Sequence, residues 1–327
     1  MANYPVWKDV KVETATSQDS VDYSISVDGS TIFNGKTYRM PGSSKANIYI
    51  NRIVRDYLSA KIDFNRTAKV QPQDKYLRAF TLNLVSAGIK STNYNIYNDY
   101  GYEDGEIKDN AINILSRPLS NIVDHRQIAF CTFADLSSAT SHDIEVESQK
   151  KGVTLASSIS GKCKTFTVNT NIIGDTITVT DVMAGNILAS YEVRETCADY
   201  CLYYLNAHGG FDHLLIKGNS LRTDDFKRVE ITRDVDNTTL QHGRQSVSVE
   251  IQPKWKLYTD HLTDAQWALT HHLLGSTQVF LHDFATDDII PVVITANSAE
   301  YRTYANQGKK KSYLTIDVEA ASKRMRK

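Results

Sequence analysis

The chain has 327 residues, of which 41% are hydrophobic and 23% charged, and its formal net charge is −1. This composition excludes a wholly disordered chain. The near-neutral charge argues against a dedicated nucleic-acid-binding protein, which carries a clear basic excess. The length suits two domains or three. Four cysteines are too few for a disulfide scaffold, so we expect reduced thiols and synthesis in a cytoplasm.

The sequence carries no pattern of export or membrane insertion. Its first residues lack an apolar stretch of signal-peptide length, and the longest apolar runs, such as residues 289–294, are far too short to cross a bilayer. We therefore expect a soluble protein without an export signal and without a membrane partner.

The first predicted elements are a β-hairpin and a short amphipathic helix. Apolar and polar residues alternate over residues 21–27, and Asp28-Gly29, which follows at once, is a strong signal for a two-residue hairpin turn. Residues 50–58 carry apolar side chains at helical spacing. Asn47 is the predicted N-cap of that helix.

The middle of the chain predicts strands. Residues 76–97 alternate in the same way, with Phe80, Leu82 and Leu84 on one face. Residues 141–196 contain several short strands separated by glycine-bearing turns, which is typical of a sandwich or a small barrel.

Residues 196–220 are the densest in aromatic and apolar residues. Two alternating stretches, 200–205 and 211–216, flank the turn sequence Asn-Ala-His-Gly-Gly at 206–210, which tolerates positive φ. Apolar residues on both faces predict strands that are covered on both sides, in the middle of a sandwich or at a subunit contact. We take this segment as the central hairpin of the second half of the chain.

The carboxy-terminal third predicts one well-capped helix. Thr263 and Gln266 have the spacing of a capping box, and Leu262 and Trp267 that of a hydrophobic staple. Gly275 stands where a C-cap glycine belongs. The remaining stretches predict strands, in which apolar residues alternate with charged or polar ones: 229–231, 247–251, 278–283, 289–295 and 314–319.

These patterns predict a mainly β protein with a multi-domain β-sandwich architecture and two or three short helices. We predict an amino-terminal β-rich domain with one amphipathic helix at 1–135 and a small all-β module at 136–196. A carboxy-terminal β-sandwich domain with one capped helix follows at 197–327. The first boundary rests on a Ser-rich run at 134–140, which predicts a linker.

Four potential zinc ligands lie within seventeen residues: Cys197, Cys201, His208 and His213. Their spacing is not that of a zinc finger, and two cysteines four residues apart on a strand are about 13 Å apart, too far for one tetrahedral ion. We therefore expect buried or turn positions for these residues.

Two further patterns resemble catalytic or nucleotide-binding motifs only in part. Residues 29–37 approach a phosphate-binding loop but have one residue too many between the glycines, and they lie in a predicted hairpin. His282-Asp283, with His271 and His272 nearby, could belong to a metal-dependent hydrolase, but their predicted positions favour polar element ends.

The loop at 98–105 and the basic clusters allow weaker interpretations. Asn98, Asp99, Glu103 and Asp104 could gather around calcium, but EF-hand spacing is missing, so we expect a solvated loop. Its tyrosines suit either a protein contact or packing within the domain; they are Tyr94, Tyr97, Tyr100 and Tyr102. The basic residues 309–311 and 323–327 could touch nucleic acid or an acidic partner surface, or could simply be a solvated edge and tail. We predict no catalytic, cofactor-binding or metal-binding residue, and no enzyme.

Several short runs resemble, in matching order, virion proteins of tailed phages that infect Bacteroidota. They are residues 32–42 followed by the 50–58 helix, 97–102, 203–212, and 262–267 with 279–283. The resemblance implies a tail, neck or ring component, with a crAss-like phage as the expected source. It carries over no catalytic residues.

From this we expect a structural virion protein that forms a homo-oligomeric ring or collar in the tail or connector of a tailed bacteriophage. Its expected partners are copies of itself and other tail or portal-proximal proteins, with nucleic acid contacted at most indirectly. The expected location is the virion, after synthesis in the bacterial host cytoplasm. The alternative is a carbohydrate- or receptor-binding β-sandwich module that uses Trp255, Trp267 and the tyrosine-bearing loop.

Overall fold

The structure is a computed structural model that describes residues 3–6, 11–16, 19–84, 90–97, 112–135, 142–159, 162–232, 244–260, 262–295, 314–322 and 324–326. The chain forms two compact units. The first comprises Met1–Arg117, Ile128–Glu192 and Asn206–Asp212. The second comprises Pro118–Gln127, Val193–Leu205 and His213–Lys327.

The described residues are mainly strand, which confirms the predicted fold class. In chain order the strands are β1 (Asn3–Pro5), β2 (Lys11–Ala15), β3 (Ser20–Val27), β4 (Ser30–Tyr38), β5 (Lys45–Tyr49), β6 (Lys69–Pro72), β7 (Leu77–Leu84), β8 (Lys90–Tyr97), β9 (Ile112–Ile114), β10 (Ile122–Asp124), β11 (Ala129–Asp135), β12 (His142–Ser148), β13 (Gly152–Ile159), β14 (Cys163–Val168), β15 (Thr176–Asp181), β16 (Asn186–Arg194), β17 (Tyr200–Leu205), β18 (Phe211–Ile216), β19 (Leu221–Thr232), β20 (Arg244–Tyr258), β21 (Val279–Asp283), β22 (Asp288–Ile294), β23 (Thr315–Ala320) and β24 (Arg324–Arg326). The helices are α1 (Ile50–Val54), continued by a 3-10 turn at Arg55–Tyr57, and α2 (Asp264–Leu274).

In the described part of the chain these strands form five sheets. Their strand orders are β1–β8–β7–β3–β4, β2–β5, β10–β16–β15–β12–β13, β6–β14–β11–β9 and β18–β17–β21–β22–β23–β20–β19, with β24 beside β20 in the last. Most neighbouring strands are antiparallel, and β1 pairs with β8 in parallel.

One core of the first unit lies between the sheet containing β3 and β7 and the pair β2–β5 with α1. Phe80, Leu82 and Leu84 are buried on one face of β7, as the alternation predicted. Ile48 of β5 and Ile50 of α1 belong to the same buried cluster. The apolar side chains of the helix are therefore part of this core and are removed from water.

The predicted β3–β4 hairpin is confirmed, and its turn has the expected backbone. Asp28 and Gly29 both have positive φ, 51° and 79°, which is the conformation of a type I′ turn. Further along β4, Gly35 lies opposite Tyr23, and a side chain at position 35 would meet the rings of Tyr23 and Phe33. Those two rings lie 5.9 Å apart over the glycine.

The predicted N-cap of α1 is wrong. Asn47 lies within β5, and its Nδ2 is 3.1 Å from Sδ of Met40. The N-cap position is held by Tyr49, which makes no side-chain capping bond. The helix begins directly at the end of a strand, so the chain leaves no room for a polar capping turn.

A second sandwich in the first unit is built from the sheets that contain β11 and β16. Tyr191 of β16 donates from its buried hydroxyl to the Phe130 carbonyl of β11 at 3.2 Å. The rings of Phe133 and Phe166 pack edge to face, 5.7 Å apart.

The strands predicted within residues 136–196 are present, but β14 leaves its sequence neighbours. It pairs with β11 on one side and β6 on the other, whereas β12, β13, β15 and β16 share a different sheet. Ala134 and Asp135, at the start of the predicted linker, are buried in β11, and residues 136–140 lie outside the described residues. The three-domain division stays a prediction.

The second unit is built around the largest sheet, with α2 packed on it. Leu202 of β17, Leu257 of β20 and Ile316 of β23 are fully buried in one cluster with Leu273 of α2. The predicted capping box of α2 is confirmed, since Thr263 and Gln266 exchange side-chain to backbone bonds.

The staple residues and the C-cap of α2 also have the predicted positions. Leu262 and Trp267 both pack against the core cluster of the second unit. Gly275 is the C-cap, but its φ is −87°, so this helix ends without the left-handed turn that makes glycine obligatory.

The predicted β17–β18 hairpin is confirmed, and nearly all of its strand residues are buried. Gly209 takes the positive φ that the turn sequence predicted, 80°. The hairpin is not in the middle of its sheet, because β18 ends the strand order.

Candidate functional site

Strand β19 is exposed along almost its whole described length, and we call the antiparallel pair that it forms with β20 the ribbon. Twelve register pairs join the two strands, from Leu221 opposite Lys256 to Thr232 opposite Arg244. Along its inner half, β20 also pairs with β23 and β24 on the side away from β19. In the described residues β19 has a strand neighbour on one side only.

The ribbon's core-side face runs out of the core into solvent. Trp255 and Pro253 of β20 are buried, Ile251 and Val249 are half-buried, and Phe226, which lies opposite Ile251 on β19, is 54% exposed. Because side chains alternate along a strand, these residues share one face. The stripe that forms the core near Trp255 therefore continues where nothing in the described chain covers it.

The opposite face of the ribbon also exposes apolar side chains. Val229 is 57% exposed, and Leu221 and Ile231 lie on the same face. Val247, at an irregularity in β20, is 52% exposed. A surface with apolar residues on both faces and an open strand edge is characteristic of a protein contact.

Charged residues flank Phe226 on β19. Asp224 and Asp225 precede it, and Lys227 and Arg228 follow it. Within the chain, Asp225 pairs with Lys254 of β20 at 2.6 Å, and the guanidinium of Arg228 lies 5.9 Å from the centre of the Phe226 ring. These are surface contacts in which each charged group stays exposed to solvent.

The four residues considered as zinc ligands are not arranged as a metal site. Cys197 is exposed, whereas Cys201, His208 and His213 are buried. In the described residues no group of three or more His, Cys, Asp or Glu side chains could hold a metal ion. Burial raises the pKa of the Cys201 thiol and lowers the pKa of His213 to about 4.

His282 lies between a tyrosine and an aspartate. Its Nδ1 is 3.1 Å from Oη of Tyr203, and its Nε2 is 2.9 Å from Oδ1 of Asp287. An ionised carboxylate can only accept, so Nε2 donates to Asp287. His282 and Tyr203 are fully buried and Asp287 has a positive φ of 60°, so the contact fixes the turn between β21 and β22. The sequence did not indicate that Tyr203 and Asp287 are the hydrogen-bond partners of His282.

The other histidine positions agree with the interpretation as polar element ends. His271 and His272 lie in the last turn of α2, with ring centres 4.1 Å apart. Asp283 ends β21, and its side chain accepts from the Ala285 amide at 2.9 Å.

The turn 206–210 and the start of β18 form a buried polar hub in the first unit. Asn206 Nδ2 donates to the Leu115 carbonyl at 2.6 Å and to Asp212 Oδ2 at 2.8 Å. Its Oδ1 accepts from the amides of His208 and Gly210. The Asn206 side chain thus forms hydrogen bonds with four polar groups that are removed from water. Leaving such buried groups without a hydrogen bond would cost stability.

Asp212 extends this hub. The Arg117 amide donates to its Oδ1 at 2.6 Å. Burial raises the pKa of Asp212 to about 7, although the hydrogen bond from Asn206 acts in the opposite direction. The sequence predicted a turn at this place but gave no sign that it was buried.

The second unit holds an ion pair around a buried carboxylate near β10. Arg126 donates from Nε to Asp124 Oδ1 at 2.8 Å and from Nη2 to the carbonyls of Thr196 and Ala198, both at 3.0 Å. Burial acts to raise the pKa of Asp124, but hydrogen bonds from Arg126 and Thr196 outweigh it and lower the pKa to about 2. The Phe284 ring lies 4.7 Å below the guanidinium.

The remaining sequence candidates are placed as follows. Residues 29–37 form the β3–β4 turn and β4, so the partial phosphate-loop motif lies in a hairpin. Tyr94 lies in β8 and packs against the first core. Asn98, Asp99, Tyr100, Tyr102, Glu103, Asp104, residues 309–311, Lys323 and Lys327 lie outside the described residues, and Arg324 and Arg326 lie in β24.

The tryptophans proposed as sugar platforms are not exposed. Trp255 is 4% exposed, and the guanidinium of Arg222 lies 5.6 Å from its ring centre. Trp267 is half-buried against the core.

Comparison with known proteins gives no assignment: no family model matches the chain, and no curated protein shows significant similarity to it. Within the described residues, no helix is both long and apolar enough to cross a bilayer.

The ribbon is the feature that sequence reasoning recognised only in part. The alternation at 229–231 and 247–251 predicted the strands correctly. The sequence pattern did not show that the apolar residues of these strands are exposed, and it did not single out Phe226. The available signal was the run of four charged residues around Phe226, two acidic before it and two basic after it. Such a run places charges on both faces of the strand, and a strand of that kind is rarely interior.

Proposed function

We propose that this chain is a structural virion protein that forms a homo-oligomeric ring or collar in the tail or connector of a tailed bacteriophage. The observation that carries the proposal is the ribbon, in which one edge of β19 pairs with no strand of the described residues and apolar side chains are exposed on both faces. The matching order of the phage-like sequence runs supports the virion assignment. A crAss-like phage is the proposed source, with synthesis in the host cytoplasm.

The physical argument concerns what such a ribbon costs in an isolated protein. A long open strand edge with apolar neighbours invites association, and isolated proteins usually shorten, cover or bury such edges. A subunit that is repeated around a ring presents two different patches, each covered by its neighbour. The exposed ribbon suits one of these patches. Other tail or portal-proximal proteins are the further proposed partners.

The test is the mass and shape of the purified full chain. Native mass spectrometry should give one dominant closed oligomer, and negative-stain images should show rings of that copy number. Changing Val229→Ser with Ile231→Ser should shift the protein towards smaller species, because both exposed apolar side chains lie on one face of the ribbon. A matched control is Ile187→Ser, which removes an exposed apolar side chain on β16. A strictly monomeric protein that never joins phage particles would defeat the proposal.

The virion assignment has its own test. A portal or terminase gene beside the gene for this chain would support it, and a neighbourhood of metabolic genes would count against it. The carbohydrate- or receptor-binding alternative predicts glycan binding by the monomer, which a glycan array measures. Because the described tryptophans are buried or half-buried, that alternative depends on the 98–105 loop, which lies outside the described residues.

A further inference from the structure

The charges of β19 are antisymmetric about Phe226. Moving outwards from Phe226, the preceding side reads Asp225, Asp224, Thr223 and Arg222, and the following side reads Lys227, Arg228, Val229 and Glu230. Each acidic residue on one side thus corresponds to a basic residue at the same distance on the other, and Arg222 corresponds to Glu230. The neutral residues Thr223 and Val229 correspond as well.

Such a strand is complementary to a second copy of itself. In an antiparallel pair centred on Phe226, Asp224 faces Arg228 of the other copy, and Asp225 faces its Lys227. Directly opposite residues in a strand pair are about 4.5–5.5 Å apart, and opposite charges there are stabilising. Phe226 faces its own counterpart and Leu221 faces Ile231, so these exposed apolar side chains contact each other, whereas Val229 faces Thr223.

The charges also exclude neighbouring arrangements. A two-fold pair centred on Asp225 would oppose two aspartates and place Arg222 against Arg228. One centred on Lys227 would oppose two lysines and place Asp224 against Glu230. A parallel pair in register would set every charge against its own copy. Like charges directly opposite are destabilising, so one register is selected.

We propose that β19 of two copies of this chain pair in antiparallel fashion about a two-fold axis at Phe226, which joins their largest sheets into one continuous sheet. The edge of β19 that no strand of the described residues occupies supplies the backbone groups, and the charge pattern supplies the register. A second copy is the occupant because the charges of β19 are complementary to those of an identical strand in this register.

This contact goes beyond the proposed ring. A two-fold contact uses the same patch on both copies, whereas a ring is closed by head-to-tail contacts between different patches. The two-fold pair occupies the edge of β19, so a ring contact at the ribbon has to use the two faces of the ribbon. On that condition the two contacts can coexist, and the two-fold pairing then joins two rings; either contact can also exist alone. The proposal therefore stands without the virion assignment.

The test uses charge reversal in the full chain. The acid-reversed variant carries Asp224→Lys and Asp225→Lys, and the base-reversed variant carries Lys227→Asp and Arg228→Asp. In a pair of two identical variant chains, like charges then lie opposite each other at four positions. Sedimentation should show the two-fold association of each variant weakened by about ten-fold or more. Circular dichroism and the thermal midpoint should remain close to wild type, because the changed residues are on the surface.

Mixing the two variants is the decisive step. All four facing pairs then become opposite in sign again, so a heterodimer should form with near wild-type affinity. A matched control for net charge is Asp22→Lys with Asp56→Lys, which reverses two exposed acids on the first unit and should leave the association unchanged.

Cross-linking tests the register directly. In a Cys197→Ser background, which removes the exposed native thiol, Phe226→Cys should form an intermolecular disulfide on mild oxidation because the two positions are opposite. Thr223→Cys should not, because it faces position 229.

The proposal is overturned if the wild-type protein shows no two-fold association. It is also overturned if the charge-reversed variants associate as the wild type does, or if their mixture fails to associate.

The failure of this contact and the failure of the proposed function are distinguishable. If the protein forms rings but the Phe226→Cys variant does not cross-link, the proposed function stands and this contact is disproved. If the mixed charge-reversal variants dimerise but no rings form, this contact stands and the ring is disproved.

Discussion

Asn206 donates from Nδ2 to Oδ2 of Asp212 at 2.8 Å, and both side chains are buried. Asn206 begins the turn that joins β17 to β18, Asp212 lies at the start of β18, and together they hold the backbone of residues 115–117. A turn usually satisfies its polar groups with water, whereas this one uses two side chains. The stability of this turn therefore depends on the side chains of Asn206 and Asp212.

Replacing Asn206 should be strongly destabilising. Asn206→Ala leaves the Leu115 carbonyl and the amides of His208 and Gly210 without their bonds, and each buried unsatisfied group costs about 1–3 kcal/mol. We expect the free energy of unfolding to fall by about 3 kcal/mol or more, measured by urea denaturation. Asn65→Ala is the control, because Asn65 is exposed and accepts one turn bond from Thr67. A loss no larger than that of the control would contradict the hub.

Gly210 should tolerate no side chain. A Cβ there would lie 2.6 Å from the backbone carbon of Leu115 and 2.7 Å from its oxygen, and backbone atoms cannot rotate away. We expect Gly210→Ala to cost about 3 kcal/mol, at the upper end of overpacking effects. Gly185→Ala is the comparison, since Gly185 has open space and a positive φ of 67°, which costs about 1–2 kcal/mol for alanine. Thermal midpoints of the two variants in the opposite order would contradict this account.

The sequence predicted local structure where one short stretch contains all the determinants. The Asp28-Gly29 turn and the Thr263–Gln266 capping box are complete within a few residues, and both are confirmed. Asn47 was misassigned because a strand continues to Tyr49 and pairs with β2, which local propensity does not contain. Likewise, β14 pairs with β6, about a hundred residues away, so its sheet could not be inferred from its neighbours.

The candidate surface shows the same division. The alternation in β19 and β20 predicted strands, but whether an apolar residue is covered depends on the rest of the fold. Phe226 and Trp255 lie on the same face of the ribbon, and only the tertiary structure makes one exposed and the other buried.

Asp212 should give the stability a specific pH dependence. Its pKa is about 7 in the folded chain, above the value of about 3.9 for an unfolded aspartate. Between these values the folded state holds more protons than the unfolded state, so the contribution of Asp212 to stability is greatest at low pH and is lost as the pH rises towards 7. Since one pKa unit corresponds to about 1.4 kcal/mol, the change is of a few kcal/mol.

His213 acts in the opposite direction, so single variants are needed to separate the two. Its pKa of about 4 lies below the unfolded value of about 6.5, and its contribution is lost as the pH falls. The stability of Asp212→Asn relative to wild type should therefore rise from about pH 4 to about pH 7, whatever its constant offset. The relative stability of His213→Asn should fall over about pH 4 to 6.5. Urea denaturation across this range measures both, and a flat Asp212→Asn difference would refute the raised pKa.

Removing the arginine of the Asp124–Arg126 ion pair should cost more than removing the pair. Arg126→Met leaves the buried carboxylate of Asp124 without its cation, which typically costs about 3–5 kcal/mol. Asp124→Asn combined with Arg126→Met removes the charge as well, so the double variant should regain part of that loss. The control is Lys69→Met, which breaks the exposed Lys69–Asp63 pair and should change the free energy of unfolding by less than about 1 kcal/mol. If Arg126→Met were as mild as Lys69→Met, Asp124 would have to reach water in solution, and its burial in the fold would be incorrect.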